Sequence, residues 1–164
     1  MVDMRIELIF VPVSDIDRAL DFYAGLGWNV DFDQSPSDEI RFVQMTPPAS
    51  ACSIAFGRGL SDAEPGSLRG VQLVIRDAAA ALELLRSRGV DAEGPQELPW
   101  GTFVTFRDPD GNEFTLQELP EWSRGYATRP ENERSASSRL EQTGGRTSLD
   151  GCRSPTPTTP SPPA

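Results

Sequence analysis

The chain repeats one pattern of secondary-structure signals twice, with the second copy 62 residues after the first (77 − 15 = 62). Each copy has a residue that can cap a helix, a glycine that can end the helix 12 residues later, and a proline in a later turn. The matching positions are Asp15 and Asp77, Gly27 and Gly89, and Pro47 and Pro109. This spacing predicts an internal duplication of a β-α-β-β-β module.

The first copy shows the elements of the module most clearly. Residues 5–13 are apolar on both faces, as expected of a strand that is covered on both sides. A helix capped by Ser14 or Asp15 follows, and short strands are predicted at about 28–32, 40–45 and 51–56. After a connecting loop at 57–69 the pattern restarts, with a strand at 70–76 and a helix at 78–88.

The second copy ends in a predicted β-hairpin at 103–118. Two runs of alternating apolar and polar residues flank Pro109-Asp110-Gly111-Asn112. Proline presets φ in such a turn and glycine supplies a positive φ. The turn rules alone favour a surface hairpin with no catalytic or binding role.

Composition separates a folded domain from a tail. Residues 1–119 hold 20 acids and 9 arginines, a net charge of −11, while 120–164 hold 5 and 6, a net charge of +1. The second segment is rich in Gly, Ser, Thr and Pro and is predicted to be disordered. We therefore expect one domain at 1–119 and a Pro/Ser/Thr-rich tail at 120–164.

Charge and hydropathy exclude several classes of partner. A net charge of −10 disfavours nucleic acid and acidic lipid surfaces. No run of residues has the apolar length of a membrane span, and we expect a cytoplasmic protein without a leader. The two cysteines, Cys52 and Cys152, do not form a disulfide framework. Cys52 is interpreted as a small buried residue because the chain has no histidine to activate it.

Two motifs carry a resemblance to a known family. One is Val11-Pro12-Val13-Ser14-Asp15 with Ala19-Leu20-Asp21-Phe22-Tyr23 and Leu26-Gly27-Trp28 after it, and the other is Phe106-Arg107-Asp108-Pro109-Asp110-Gly111-Asn112. Over residues 5–119 the chain resembles the vicinal oxygen chelate superfamily, which includes glyoxalases, extradiol dioxygenases and bleomycin- and fosfomycin-resistance proteins. The resemblance implies an α+β fold in which two βαβββ modules curve mixed sheets around a cleft, with the helices outside.

The resemblance also implies where a metal centre would lie. Enzymes of the superfamily take one metal ligand, often histidine, from the first strand of each module and a glutamate from the last strand. By motif register these positions are Leu8 and Gly70 on the first strands and Ser53 and Thr115 on the last strands. None of these side chains is a ligand of divalent ions in such enzymes, and the chain contains no histidine. We therefore expect no divalent metal cofactor.

Carboxylates offer an alternative metal site. Glu7, Glu113 and Glu118 lie near strand positions, and carboxylates alone can hold Mg²⁺ or Mn²⁺. Glu7 and Glu118 fall one residue off the ligand register, which turns their side chains to the other face of a strand. Glu113 is expected to be solvated at the turn, so the alternative is disfavoured.

The same register predicts a ligand-binding face. Counting in steps of two from the ligand positions, with Trp100 added as a stacking surface, gives Leu8, Phe10, Ser53, Gln72, Val74, Trp100, Thr115 and Gln117. Apolar walls with a few neutral hydrogen-bonding groups suit an organic ligand. The competing interpretation is that these side chains fill a tightly packed core, with Trp100 as a lid.

Three functional classes follow from these expectations. The first is a metal-free protein that sequesters an organic molecule, as bleomycin-resistance proteins do, and the acidic domain favours a neutral or cationic ligand. The second is a glyoxalase-like lyase or isomerase, or a dioxygenase, with an unorthodox metal site. It is weakened because the chain has neither histidine nor lysine as a base, although a glutamate of raised pKa can serve. The third is a partner-binding subunit. The resemblance also implies a homodimer.

Overall fold

A computed structural model describes residue 2 and residues 4–123. The predicted tail from 124 onward, including Cys152, lies outside the described residues. The elements are β1 (Leu8–Phe10), α1 (Ile16–Gly25), β2 (Asn29–Ser37), β3 (Ile40–Thr46), β4 (Ser53–Arg58), β5 (Val71–Ile75), α2 (Ala78–Ser87), β6 (Ala92–Leu98), β7 (Gly101–Arg107), β8 (Glu113–Glu118) and a 3₁₀ turn (Glu121–Ser123).

The predicted duplication is confirmed. One four-stranded sheet, sheet one, has the strand order β1-β4-β3-β2, and the other, sheet two, has the order β5-β8-β7-β6. In each sheet the first strand pairs in parallel with the last strand of its module, and the other pairs are antiparallel. The chain therefore has the expected α+β fold of two βαβββ modules. Within the described part of the chain, no helix is both long and apolar enough to span a bilayer.

The helix boundaries follow the predicted caps. The Asp15 side chain accepts a hydrogen bond from the backbone N of Arg18 at 3.0 Å, and the Asp77 side chain accepts one from the backbone N of Ala80 at 2.9 Å. Beyond the helices, Gly27 and Gly89 have positive φ values of 86° and 72°. Local capping chemistry thus sets the beginning and the end of each helix.

Strand β1 is shorter than the predicted strand at 5–13. Val11 still donates its backbone N–H to the oxygen of Ala55 at 2.8 Å, but Pro12 has no N–H to continue the ladder. The carbonyl of Pro12 instead accepts the backbone N–H of Gly66 at 3.1 Å and the Nδ2 of Asn112 at 2.8 Å. The strand therefore ends where its backbone turns to the second module.

Both modules contribute to one aromatic core around Tyr23, which is fully buried. Its ring centroid lies 5.0 Å from that of Trp28, 5.7 Å from that of Phe56 in sheet one and 6.0 Å from that of Phe114 in sheet two. Such aromatic pairs add to the free energy gained from buried area. The faces of the two sheets that carry the helices are thus packed into a common core.

The predicted hairpin turn is confirmed, but its surroundings are not those of a surface hairpin. Gly111 donates its backbone N–H to the oxygen of Asp108 at 3.0 Å and has a φ of 95°. The Asp108 side chain is buried and accepts hydrogen bonds from the hydroxyl of Tyr23 at 2.9 Å and from Nδ2 of Asn112 at 2.8 Å. Asn112 also accepts from the backbone N of Leu68 at 3.0 Å. The turn therefore joins the second module to helix α1 and to the connecting loop.

Candidate ligand-binding faces

The face of sheet one opposite the helices is called outer face one. Strand pairing sets Leu8 beside Ser53 and Phe10 beside Ala55, as the predicted register requires. Side chains alternate along a strand, and the helix side is occupied by core residues such as Val43 and Met45. Outer face one includes Leu8, Phe10, Phe32, Gln44, Thr46, Ser53 and Ala55.

Outer face two is the corresponding face of sheet two. Gln72 pairs with Thr115, Val74 pairs with Gln117, and Phe103 of β7 pairs with Gln117 on its other side. Outer face two includes Gln72, Val74, Phe103, Thr105, Thr115 and Gln117. The eight residues predicted from the sequence thus fall on the two outer faces, apart from Trp100, which lies in the turn between β6 and β7.

The prediction that Gly70 occupies a metal-ligand position is wrong. Thr115 pairs with Gln72 and not with Gly70. Gly70 has a φ of 78° and lies before β5, which begins at Val71, so it is part of the turn that enters the strand. The residue that corresponds to Leu8 is therefore Gln72. Its amide oxygen can coordinate a divalent ion, but Leu8, Ser53 and Thr115 provide no imidazole or carboxylate to complete a metal site.

The outer faces are open. Several large apolar side chains on them are about half exposed: 46% for Phe10, 54% for Phe32 and 54% for Val74, and Trp100 in the adjoining turn is 56% exposed. Single exposed apolar residues are ordinary, but several on the faces of two sheets indicate surfaces that another molecule can cover. The interpretation as a tightly packed core therefore fails for these residues.

A hydrogen-bond chain organises outer face two. Nε2 of Gln72 donates to Oε1 of Gln117 at 2.5 Å, and Nε2 of Gln117 donates to the backbone oxygen of Trp100 at 2.7 Å. Gln117 is buried, and its amide is bonded at both ends. A Cβ at Gly101 would lie 3.2 Å from the Gln117 side chain and 2.5 Å from the oxygen of Glu118, so glycine makes room for this arrangement.

A longer chain of hydrogen bonds links polar side chains on outer face one. Of its members, the sequence analysis identified only Ser53. Nε2 of Gln44 donates to the hydroxyl of Ser53 at 3.1 Å, and this hydroxyl lies 2.7 Å from the hydroxyl of Thr46. Thr46 donates in turn to Oδ2 of Asp31, and Oδ1 of Asp31 accepts from Nδ2 of Asn29 at 2.6 Å. Gln44 and Thr46 alternate on β3 on the same face as Ser53, a signal that was available in the sequence.

A pocket lies at the Asp31 end of this chain. It is open to solvent, has a volume of about 440 Å³ and is lined by Gly27, Asn29, Asp31, Thr46, Pro47, Pro48, Ala49 and Ser50. Asn29, Asp31 and Thr46 of the hydrogen-bond chain are among its polar groups, and Pro47 and Pro48 contribute apolar surface. The pocket places a carboxylate beside apolar surface at the edge of sheet one.

The carboxylates considered for a metal site do not come together. Glu113 forms an ion pair with Arg107 at 2.7 Å, and Oε2 of Glu118 accepts the backbone N–H of Ala78 at 2.9 Å on the helix side of the sheet. Glu7 is exposed before β1. Among residues 2 and 4–123, no three His, Cys, Asp or Glu side chains are grouped so that they could hold a metal ion.

Cys52 is not an activated nucleophile. It is half-buried, and burial raises the pKa of its thiol, with a smaller contribution from the negative charge of Glu7. The thiolate is the reactive form of cysteine, and both effects disfavour it. The thiol donates to the backbone oxygen of Ser53 at 3.6 Å, which agrees with the interpretation of Cys52 as a packed residue.

Comparisons with known proteins agree with this architecture. Residues 5–116 match the model of the Glyoxalase/Bleomycin resistance protein/Dioxygenase superfamily. A solved structure of TnmS3, an antibiotic binding protein from Streptomyces sp. CB03234, is 36% identical, covers 73% of this chain and 99% of its own, and has a TM-score of 0.67. A superfamily member from Sphaerobacter thermophilus DSM 20745 is 34% identical, with 71% and 98% coverage and a TM-score of 0.65. The uncharacterized protein YetH of Bacillus subtilis (strain 168) is 26% identical over 70% of this chain and 98% of its own.

Proposed function

Since the chain belongs to the Glyoxalase/Bleomycin resistance protein/Dioxygenase superfamily, we propose that it is a metal-free member that binds and sequesters a small organic molecule. Its place of action is the cytoplasm. The proposal concerns the outer faces, where the superfamily's metal positions lie.

The chemistry of the outer faces is the observation that carries the proposal. The strand pairs that would hold a metal ion join Leu8 to Ser53 and Gln72 to Thr115, and none of these side chains is an imidazole or a carboxylate. Around them lie half-exposed aromatic and aliphatic groups with neutral amides and hydroxyls. Ligand sites for organic molecules combine apolar walls with a few placed polar groups.

The similarity to TnmS3 in sequence and fold also supports a small organic molecule as the ligand. That protein binds an antibiotic, and this chain shares 36% of its residues and the same fold. We therefore propose an antibiotic or a related natural product as the class of molecule to be sequestered. Fold alone would not support this step, because one fold hosts many functions.

We further propose that two copies of the chain associate and complete the binding site. Phe10, Phe32, Val74 and Trp100 are about half exposed in a single chain, and a second copy would remove this apolar area from water. Burial of apolar surface is the main driving force of such association. Light scattering of the full chain should give the mass of a dimer, and a monomer at micromolar concentration would contradict this part of the proposal.

Binding to the outer faces can be tested by replacing one amide. In the full chain, Gln72→Leu should weaken binding of a compound selected from an antibiotic panel that includes bleomycin-type glycopeptides. The expected loss is about tenfold, since one hydrogen bond and its orientation are removed. Isothermal titration measures the affinity, and cooperative thermal unfolding of the free variant shows that the fold is intact. Unchanged affinity would place the ligand elsewhere.

Sequestration and catalysis predict different fates for the bound compound. A sequestered molecule is recovered unchanged, by mass spectrometry, after long incubation with the protein. Conversion of the compound, or turnover of a methylglyoxal–glutathione hemithioacetal that a chelator abolishes, would contradict the proposal and favour the enzymatic alternative.

A further inference from the structure

Each outer face carries a hydrogen-bond chain that begins at a group able only to accept. On sheet two this anchor is the backbone carbonyl of Trp100, and on sheet one it is the carboxylate of Asp31. Neither group has a hydrogen to donate. The direction of every hydrogen bond along each chain therefore follows from its anchor.

On outer face two the Trp100 carbonyl determines the orientations of both glutamine amides. Because the Trp100 carbonyl accepts, Gln117 must turn its Nε2 toward it, and its Oε1 then lies toward Gln72. Gln72 must donate Nε2 to that oxygen, which it does at 2.5 Å. The carbonyl oxygen of Gln72, an exposed residue, accepts no hydrogen bond from the described part of the chain.

On outer face one the same reasoning passes through two hydroxyl groups. Thr46 uses its only hydroxyl hydrogen on Asp31, so it must accept from Ser53 at 2.7 Å. Ser53 has then used its only hydroxyl hydrogen and must accept from Nε2 of Gln44 at 3.1 Å. The carbonyl oxygen of Gln44 is left without a hydrogen-bond donor among residues 2 and 4–123.

We infer that the outer faces select hydrogen-bond donors: the ligand is a neutral or cationic molecule that presents hydroxyl or amino groups to the carbonyl oxygen of Gln44 on outer face one or of Gln72 on outer face two. This inference rests on the proposed function and deepens it. Each of the two amides offers a carbonyl with two lone pairs and only one remaining N–H. The net charge of −11 over residues 1–119 acts in the same direction, since it repels carboxylates and phosphates.

A matched pair of compounds tests the preference without knowledge of the natural ligand. The probes 2,6-dihydroxynaphthalene and 2,6-dimethoxynaphthalene share one ring system and carry no charge, but only the first can donate hydrogen bonds. Isothermal titration of the full chain should show about tenfold tighter binding of the dihydroxy compound. Equal affinities, or a preference for the dimethoxy compound, would overturn the inference while leaving the proposed function standing.

Replacement of Asp31 tests whether the direction of the hydrogen bonds causes the preference for the dihydroxy compound. In Asp31→Asn, the side-chain oxygen can still accept from Asn29 while the new amide donates to Thr46. Every hydrogen bond between position 31 and Gln44 can then reverse its direction, and Gln44 would turn its Nε2 outward. The preference for the dihydroxy compound should fall several-fold on titration.

Asp38→Asn is the control, because it removes the same charge from the exposed turn between β2 and β3. This variant should keep the preference of the native chain. An equal fall in both variants would make net charge the cause, and an unchanged ratio in Asp31→Asn would overturn the inference for outer face one.

A neutron structure of the protein without any ligand decides the orientations directly, because nitrogen, oxygen and deuterium scatter neutrons differently. It should show Nε2 of Gln44 toward Ser53 and Nε2 of Gln72 toward Gln117. The opposite orientation of either amide would overturn the inference. If neither naphthalene compound binds, the proposed function loses support, and the neutron structure still decides whether the faces present acceptors.

Discussion

Tyr23 holds a hydroxyl group inside an aromatic core, where its hydrogen bond to Asp108 offsets the loss of water. Burial raises its pKa far above the ordinary value of 10.0, and the charge of Asp108 and the hydrogen bond to it raise the pKa further. The tyrosine stays neutral in the folded state but ionises near pH 10.0 when the chain unfolds. Its contribution to stability is therefore fully present below that pH and is lost as the pH rises above it.

Tyr23→Phe tests this account at the residue scale. Removal of the hydroxyl leaves Asp108 with one donor fewer and should lower the free energy of unfolding at pH 7 by about 1.5–3 kcal/mol. Between pH 10 and 11 the variant should lose less stability than the native chain, because it has no tyrosine to ionise at this site. Urea unfolding at several pH values measures both effects, and parallel pH curves would contradict the role given to Tyr23.

At the scale of elements, the loop that joins the modules touches the hairpin turn at Gly66. Its φ is 77°, and a Cβ there would lie 2.0 Å from the oxygen of Asp110. Gly111 has a similar positive φ of 95°, but a Cβ there would meet nothing within 4 Å. The two glycines thus separate the effect of close packing from the effect of backbone conformation.

Gly111→Ala should lower the free energy of unfolding by about 1–2 kcal/mol, the penalty for an L-residue in the left-handed region. Gly66→Ala should lower it by more, because the loop must also move away from the turn. Thermal or urea unfolding of both variants provides the comparison. Equal losses would show that the contact between loop and turn does not hold the modules together.

Local rules account for much of what the sequence predicted about these elements. The caps at Asp15 and Asp77 and the glycine ends of the helices depend only on nearby residues, and both are confirmed. Strand β2 extends to Ser37, well beyond the predicted end at 32, because pairing with β3 orders an exposed polar segment that has no strand pattern of its own. Strand β6 has no clear pattern either and was implied only by the duplication.

At the scale of the whole molecule, the duplication predicted the modules, and alternation along the strands predicted which residues share a face. The hydrogen-bond partners were harder to find. Asp31 lies at a break in the β2–β3 register, between Val30 and Phe32, where simple alternation fails. The sequence also could not show that the turn at 108–112 is buried, because Tyr23 and Pro12 reach it from distant positions.

The central claim is that this protein binds an organic molecule and no divalent metal. The most direct test is the melting temperature of the full chain, titrated first with Ni²⁺, Zn²⁺, Mn²⁺ and Fe²⁺ and then with a panel of organic antibiotics. A ligand that binds only the folded state must raise the melting temperature by mass action. We predict a rise with at least one organic compound and none with the metals. A rise with a metal that a chelator reverses would contradict the account and point to an enzyme.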